Sequence, residues 1–378
     1  MNASFDASDH RFMAQAVRLA ERGLYGTDPN PRVGCVVVKD GEVVGEGWHR
    51  RAGEPHAERL ALAAAGAAAR HATVYVSLEP CAHHGRTPPC VDALIEAGVD
   101  RVVAASEDPN PLVAGQGMAR LREAGIRAEV GLLADDAEAL NPGFLKRMRD
   151  GLPFVRCKLA MSLDGRTAMA SGESQWVTGD AARRDVQRLR ARSSAVMTGV
   201  NTVLADDPSL NVRLDPQALG GPGDAGPVRQ PLRVVLDSRL RTPPRARLLM
   251  LEGDTLVVCG QSAPPDIAAE LEATGATVLR QPQLGGRIDL RHTLHELASR
   301  GVNEVLIESG PTLAGHALSA GLVDELILYV APHLMGHQAR GLAQIDGIQR
   351  MAERLAFRFA DTRRVGADLR LTLRSGNG

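Results

Sequence analysis

Residues 78–90 have the sequence LEPCAHHGRTPPC, and the triplet HAE precedes them. His56, Cys81 and Cys90 are the ligand types of a catalytic zinc site that leaves one position for water. Glu58, beside the histidine, has the chemistry to move protons for that water. This combination is typical of zinc-dependent deaminases of amino-substituted pyrimidine or purine rings. We therefore predict hydrolytic deamination, with a single Zn²⁺ held by the histidine and the two cysteines and with Glu58 as the catalytic residue.

The spacing of these residues predicts their local structure. His56 and Glu58 would lie on nearly opposite faces in the interior of a helix, so the pair must begin one. Pro55 suits the first helical position, and an alanine-rich helix is expected to about Arg70. Cys81 follows a predicted buried strand, and Cys90 begins the next predicted helix, where a thiolate has a lowered pKa.

Two histidines between the cysteines are alternative ligands. His83 and His84 lie in the loop that joins Cys81 to Cys90. We favour the cysteine pair, because the loop is better interpreted as facing the substrate.

Composition limits the class of protein. The 378 residues favour two domains, and a hydrophobic content of 44% is sufficient for packed cores. A net charge of −1 and 3% aromatic residues argue against nucleic acid as a partner. No apolar run approaches the roughly 20 residues of a membrane span, and the N-terminus lacks the apolar core of a signal peptide. We expect a cytoplasmic protein without a membrane partner.

The cysteine count supports a reducing compartment. The chain has five cysteines, an odd number without the pattern of a disulfide framework. Cys35, Cys157 and Cys259 lie in apolar runs and are expected to be buried free thiols.

The first part of the chain alternates helices with short apolar strands, which predicts a three-layer α/β/α domain. The expected strands are 33–38, 42–47, 73–78 and 101–105, and the expected helices are 10–23, 55–70, 90–97 and 117–124. A change in composition over Asn141–Pro153 predicts the domain boundary, so the domains are expected at residues 1–150 and 151–378.

The second part is a further predicted α/β domain. Strands are expected at 155–163, 195–198, 232–237, 255–259, 304–308 and 325–330, and helices at 180–192, 289–300 and 312–320. A Gly/Pro-rich stretch between Asp215 and Pro231 is predicted to be a surface loop. It contains a GxGxxG match at 221–226, but Pro222 and Pro227 interrupt it and no helix follows, so it is not interpreted as a cofactor site.

Several long motifs identify a family. Nucleic-acid and nucleoside deaminases usually close their zinc motif with PCxxC, whereas eight residues separate the cysteines here. The chain resembles the bifunctional deaminase-reductases of riboflavin biosynthesis over nearly its whole length. The motifs that carry this resemblance are PNPRVG (29–34), HAE (56–58), LEPCAHHGRTPPC (78–90), DPNPLVAGQG (108–117), KLAMSLDGRTA (158–168), SGESQWVT (171–178), NTVLADDPSLNVR (201–213) and ESGPTLAGHAL (308–318).

For the first half, the resemblance implies a cytidine-deaminase-like domain and a small phosphorylated substrate. That substrate is 2,5-diamino-6-(5-phosphoribosylamino)pyrimidin-4-one. Asn30 matches a residue expected to hold the ring, and His49, His83 and Arg86 match positions expected near the ribose phosphate. Ala82 and Arg59 depart from the residues usual in the family, and neither is a predicted ligand.

For the second half, the resemblance implies a dihydrofolate-reductase-like α/β domain that uses NADPH to reduce the ribosyl group to ribityl. The implied substrate-binding residues are Lys158, Ser174, Arg190, Leu210, Arg213 and Glu308. The implied cofactor-binding residues are Ala160, Trp176, Thr202, Asp206, Ser238, Gly310, Pro311, Thr312, Leu313, Ala314, Gly315 and His316. The family often has a small apolar residue where this chain has His316. The resemblance also implies a homodimer or a homotetramer.

Two other functions are compatible with parts of this pattern. One is a nucleic-acid-editing deaminase with an RNA-binding C-terminal half, which strong retention on heparin at low salt would favour. The other is a deaminase whose C-terminal half is an inert assembly domain, which absence of NADPH binding would favour.

Overall fold

The structure is a computed structural model that describes residues 5–83, 88–110, 114–220 and 227–376. The chain divides into two compact units, which meet in sequence between Gly151 and Leu152. Among the described residues, none of the helices has the length and apolar character needed to cross a bilayer.

The first unit is built on a five-stranded sheet in the order β2-β1-β3-β4-β5. Strand β1 pairs antiparallel with β2 and β3, whereas β3, β4 and β5 are parallel. The elements of this unit are α1 (Ala7–Glu21), β1 (Gly34–Lys39), β2 (Glu42–Trp48), α2 (Ala57–Ala65), β3 (Thr73–Val76), α3 (Cys90–Ala97), β4 (Arg101–Ala104), α4 (Gln116–Glu123), β5 (Arg127–Val130), α5 (Ala134–Leu140) and α6 (Pro142–Asp150).

Helices cover both faces of this sheet, as the alternation of elements predicts. One face packs against Ala61 of α2, Leu94 of α3 and Leu121 of α4. The other face packs against Met13 of α1 and Ala137 of α5. The predicted three-layer α/β/α domain is confirmed.

The end of the first unit differs from the expected boundary segment. Most of Asn141–Pro153 is helix α6, and Phe144 and Leu145 of this helix pack against Leu78. The Asn141 side chain accepts from the amide of Arg32 at 2.8 Å and donates to its carbonyl at 2.9 Å. The change in composition therefore marks an amphipathic helix of the first unit.

The second unit is built on a nine-stranded sheet in the order β11-β10-β9-β8-β14-β6-β15-β18-β17. Its elements are β6 (Phe154–Ser162), β7 (Arg166–Ala168), α7 (Asp180–Arg192), β8 (Ala195–Gly199), α8 (Val200–Asp206), β9 (Leu232–Leu236), α9 (Arg247–Met250), β10 (Thr255–Gly260), α10 (Pro265–Glu272), β11 (Thr277–Gln281), β12 (Gln283–Leu284), β13 (Arg287–Ile288), α11 (Leu290–Ser299), β14 (Glu304–Glu308), α12 (Pro311–Ser319), β15 (Glu325–Ala331), β16 (Arg340–Gly341), β17 (Phe357–Val365) and β18 (Asp368–Ser375).

Seven strands of the large sheet are parallel, and β18 and β17 extend it as an antiparallel pair. Helices α11 and α12 cover one face through Leu294 and Ala317. Helices α7 and α10 cover the other through Val186 and Leu271. The predicted second α/β domain is confirmed, and the GxGxxG match at 221–226 lies outside the described residues.

A buried carboxylate supports the first unit. Asp9 of α1 is only 4% exposed and accepts hydrogen bonds from the Tyr75 hydroxyl and from Arg101 Nη1, both at 2.6 Å. Burial alone raises the pKa of Asp9, but the bonds from Arg101 and Tyr75 outweigh it and lower the pKa from 3.8 to about 2.

Asp9→Asn tests this contribution through its pH dependence. The folded pKa lies below the unfolded one, so ionised Asp9 stabilises the fold by about 2 kcal/mol above about pH 4, and this falls away as the pH drops toward 2. In denaturant unfolding, the stability difference between wild type and variant should narrow by about 1 kcal/mol between about pH 6 and pH 3. A difference that stays constant over this range would contradict the assignment.

Candidate active sites

His56, Cys81 and Cys90 converge on one point in the first unit. Their ligand atoms all lie within 4.8 Å of one another. His56 Nδ1 is 3.5 Å from Cys81 Sγ and 3.3 Å from Cys90 Sγ. Ligands at ordinary Zn–N and Zn–S distances are about 3.5 Å apart in a tetrahedron, so the donor set fits a zinc ion.

Two helix N-termini present these ligands. His56 is the extended N-cap residue of α2, with φ −72° and ψ 164°, and Cys90 is the first residue of α3. The prediction that the HAE triplet begins a helix is confirmed. Pro55 precedes the N-cap, so its predicted place at the first helical position is wrong. The α-helix ends at Ala65, and a 3-10 helix over Gly66–Ala69 continues it to the expected end near Arg70.

Glycines let helix α2 approach the hairpin closely. A Cβ atom on Gly45 would come within 2.2 Å of the Ala61 carbonyl oxygen, and one on Gly47 within 2.4 Å of the Ala57 carbonyl oxygen. Any larger side chain at these two positions would push α2 away from the sheet. The close packing therefore fixes the first turn of the helix, which carries Glu58.

Hydrogen bonds favour a thiolate at Cys81. The amide of Cys90, at the N-terminus of α3, donates to Cys81 Sγ at 3.3 Å. The pKa of Cys81 lies well below its ordinary value, because the Cys90 thiol, His56 and this amide all bond to the sulfur. A thiolate is the form that binds a metal. The lowered pKa expected at Cys90 is instead found at Cys81, because the hydrogen bond to Cys81 and then burial raise the pKa of Cys90.

Glu58 lies beside these ligands and is nearly closed off from solvent. It is 3% exposed, and its carboxyl group bonds to the thiol of Cys90. Burial raises the pKa of Glu58, and the negative charge of Cys81 raises it further. The described ligand set consists of His56 and the two cysteines, so Glu58 remains available for proton transfer.

Asn30 and His49 form a pair next to His56. Asn30 Nδ2 lies 3.0 Å from His49 Nε2, and the Pro55 carbonyl accepts from His49 Nδ1 at 3.2 Å. The His49 ring is 2% exposed and stands edge-on to the ring of His56, with 5.2 Å between centroids. Both ring nitrogens of His49 have partners, and one of these partners is the Asn30 side chain. The expected place of His49 near a phosphate stays a prediction.

The loop between the two cysteines is described only in part. His83 is exposed at its start, and its predicted role near the substrate stays a prediction. The alternative ligand His84 and the predicted phosphate contact Arg86 lie outside the described residues.

In the second unit, three charged side chains from the sequence analysis meet at the centre of the sheet. Lys158 on β6 lies directly across from Glu308, the last residue of the neighbouring β14. Arg190 of α7 forms a bidentate pair with Glu308, at 2.6 Å and 2.9 Å, with both side chains about one tenth exposed. Burial lowers the pKa of Lys158, and the charge of Glu308 partly offsets this.

Further predicted substrate residues lie near this cluster. Arg213 is close enough to Arg190 and Glu308 for their charges to act on its pKa. Its guanidinium is exposed, and its one described hydrogen bond is to Asn211 Oδ1 at 3.2 Å. Leu210 is buried in the core that also contacts Ala160. The Ser174 side chain bonds instead to Asp206, which the resemblance assigns to the cofactor.

The predicted cofactor turn begins a helix. Gly310 is the N-cap of α12, and Pro311, Thr312, Leu313, Ala314, Gly315 and His316 all lie within that helix. The amide of Gly310 donates to Thr202 Oγ1 of α8 at 3.2 Å. A Cβ atom on Gly315 would come within 1.9 Å of the Gln344 carbonyl oxygen, so only glycine fits there. A helix N-terminus of this kind is suited to an anionic group.

Trp176 and Ser238 are less closely connected to the cluster. Trp176 is 68% exposed, and the Arg183 guanidinium lies 4.6 Å from its ring centroid. Ser238 follows β9, and its carbonyl accepts from the amide of Gly260. The structure therefore joins Thr202 with Gly310 and Ser174 with Asp206 by hydrogen bonds. Among the described residues, no hydrogen bond connects Trp176 or Ser238 to these pairs.

The sequence analysis did not single out two buried acids near the zinc ligands. Glu79 directly precedes Pro80-Cys81 and is 3% exposed. Asp108 is 7% exposed, and burial first, then the charges of Glu79 and Cys81, raises its pKa to about 6. Both could have been recognised from the sequence as acidic residues that follow an apolar strand, since Glu79 follows β3 and Asp108 follows β4.

Comparison with known proteins agrees with both halves of the structure. The family profile described as the cytidine and deoxycytidylate deaminase zinc-binding region matches residues 6–106. The profile described as the RibD C-terminal domain matches residues 153–371.

Relatives match over nearly the whole chain. The riboflavin biosynthesis protein RibD of Escherichia coli (strain K12) is 53% identical over 97% of this chain and 99% of its own length. The structure of Acinetobacter baumannii RibD, form 1, is 47% identical with a TM-score of 0.88, covering 98% of this chain and 99% of that one. A deaminase/reductase structure from Thermotoga maritima is 32% identical with a TM-score of 0.81, covering 97% and 99%. This chain therefore belongs to the RibD family of riboflavin biosynthesis proteins, bifunctional enzymes that combine a zinc-dependent deaminase with an NADPH-dependent reductase.

Proposed function

We propose that residues 1–150 deaminate 2,5-diamino-6-(5-phosphoribosylamino)pyrimidin-4-one and that residues 151–378 then reduce its ribosyl group to ribityl. The observation that carries the proposal is the convergence of His56, Cys81 and Cys90 next to the buried Glu58. The division of the chain between Gly151 and Leu152 supports a separate unit for each reaction. The name of the Thermotoga maritima relative contains the same pair of activities.

In the deaminase reaction, water replaces the ring amino group and ammonia leaves. His56, Cys81 and Cys90 would hold a zinc ion, which when bound would supply the activation of water at neutral pH. Glu58 takes the proton from the water and delivers a proton to the departing amino group. We assign Asn30 to hold the pyrimidine ring, and its contact with His49, which orients the side-chain amide, supports this assignment.

In the reductase reaction, the residues assigned below would hold NADPH, which when bound would supply the hydride, and a proton would complete the new hydroxyl group. We assign Lys158, Ser174, Arg190, Leu210, Arg213 and Glu308 to the substrate. We assign Ala160, Trp176, Thr202, Asp206, Ser238 and the turn Gly310–His316 to NADPH. The Arg190–Glu308 pair fixes the orientation of both side chains, and exposed Arg213 supplies a cation for the substrate phosphate.

We also propose the partners and the compartment. A near-neutral chain with few aromatic residues favours small-molecule partners over nucleic acid. The five cysteines are unpaired, and the zinc site needs reduced thiols, which supports a cytoplasmic location. The family resemblance supports a homodimer or a homotetramer.

Glu58→Gln tests the deaminase assignment, with Cys90→Ser as its counterpart. Glu58→Gln should retain zinc and lose at least about 100-fold in ammonia release, because the ligands survive and the proton relay does not. Cys90→Ser should lose zinc as well as activity. Elemental analysis and ammonia release measure these effects, and both variants should still reduce the deaminated substrate. Normal ammonia release by Glu58→Gln would refute the role of this residue.

Arg213→Met tests the substrate side of the reductase. Loss of one charge-assisted hydrogen bond should raise KM for the deaminated phosphosugar substrate by about 10- to 100-fold. NADPH binding, followed by nicotinamide fluorescence, should not change, and Arg213→Lys should recover part of the loss. An unchanged KM for Arg213→Met would remove Arg213 from the substrate site. Separately, absence of NADPH binding to the wild type would favour an inert C-terminal domain.

A further inference from the structure

Glu79, immediately before Pro80-Cys81, places a buried carboxylate beside the proposed zinc site. It is 3% exposed. Its Oε2 accepts from the amides of Asp108 at 3.1 Å and Gly115 at 2.9 Å, and its Oε1 accepts from those of Gly117 at 2.9 Å and Met118 at 3.2 Å. Four backbone donors satisfy this carboxylate without a cationic side chain among its described hydrogen bonds.

Three of these donors belong to the N-terminus of helix α4. The N-cap residue of this helix, Gly115, has a φ of +78° and provides no side-chain cap. The first amides of a helix lack partners within it and carry partial positive charge. Glu79 therefore caps α4 from a distant part of the chain and ties the helix to the segment that carries Cys81.

Arg120 of the same helix holds the other side of Cys81. Its Nη1 donates to the carbonyl of Ala82 at 3.0 Å. Its Nη2 pairs at 2.6 Å with Asp92 of α3, the helix that begins at Cys90. Helix α4 is thus bonded to the chain on both sides of Cys81, and it is also bonded to α3, the helix that begins at Cys90.

Close packing limits how far α4 can move. A Cβ atom on Gly117 would lie 2.2 Å from the Pro80 carbonyl oxygen and 3.1 Å from Glu79 Oε1. The backbone of α4 therefore lies directly against the backbone that leads into Cys81. A shift of this helix would move the cysteine, because no side chain separates the two backbones.

We propose that Glu79 is a positioning residue of the deaminase reaction, which with Arg120 uses helix α4 to hold both cysteine ligands in place. The proposal rests on the assignment of zinc to His56, Cys81 and Cys90. Glu79 itself does not contact the substrate in this account. It acts through the backbone that carries the ligands.

Glu79→Gln is the most direct test, because glutamine keeps the shape of the side chain. Its NH₂ group would face two backbone donors, so half of the cap would become repulsive. Asp9→Asn is the matched control, because Asp9 is an equally buried carboxylate of the same unit whose side-chain partners are Tyr75 and Arg101.

The readout is the rate at which the intact protein releases zinc to a chromogenic chelator. Glu79→Gln should release zinc about 10- to 100-fold faster than wild type, as expected when the surroundings of metal ligands are disturbed. Its ammonia release should fall, while reduction of the deaminated substrate stays at the wild-type rate. Asp9→Asn should lower the unfolding temperature without changing zinc release.

Zinc release from Glu79→Gln at the rate of wild type, or at the same raised rate as Asp9→Asn, would overturn the proposal. If Glu79→Gln does not fold, Arg120→Met decides, because it frees Ala82 and Asp92 without leaving a buried charge. Unchanged zinc release from Arg120→Met would then overturn the proposal. Failure of the zinc assignment is distinguishable, since the wild type itself would then purify without zinc or Cys90→Ser would retain it.

Discussion

The main constraint on the first unit is that three ligand atoms from separate elements must lie within 4.8 Å of one another. His56 caps one helix, Cys90 begins another and Cys81 follows a strand, so no local motif can assemble the site alone. Glycines at the hairpin bring α2 close, and the Cys90 amide bonds to the sulfur of Cys81. The packing of α2 and α3 on one face of the sheet is therefore a requirement of the chemistry, since this helical layer carries His56 and Cys90 next to Cys81.

The second unit is subject to a different constraint, which is the free-energy cost of burying charged side chains. The Arg190–Glu308 pair lies at the centre of a parallel sheet, with Lys158 on the adjacent strand. A buried charge is tolerated when it is paired and hydrogen-bonded. The bidentate geometry meets this requirement. In our proposal, the exposed Arg213 contacts the substrate phosphate, and the N-terminus of α12, with Gly310 as its cap, receives an anionic group of the cofactor.

The sequence predicted the zinc cluster and both α/β units because these features leave local signals. The HAE triplet could begin only a helix, and apolar strands alternated with helices that end in glycine. Strands β17 and β18 were not predicted. Most residues of β17 (FRFADTRRV) are exposed, so no alternation marks a buried face there. In β18, Leu369, Leu371 and Leu373 do alternate with polar residues, and this signal could have identified the strand. Helix α6 was not predicted within the segment Asn141–Pro153, because charged residues dominate its sequence although Phe144 and Leu145 pack inward. The roles of His49 and Glu79 depend on partners far away in sequence, and the spacing of residues does not reveal them.

The central claim is that one chain carries out two successive reactions on one phosphorylated pyrimidine. The most direct measurement gives the purified protein the diamino-pyrimidine phosphate, with and without NADPH, and identifies the products by mass. Without NADPH, the product should have an oxygen in place of one amino group, together with one equivalent of ammonia. With NADPH, it should carry two additional hydrogens and an opened, reduced sugar. Deamination without any NADPH-dependent gain of hydrogen, or no release of ammonia at all, would contradict the account.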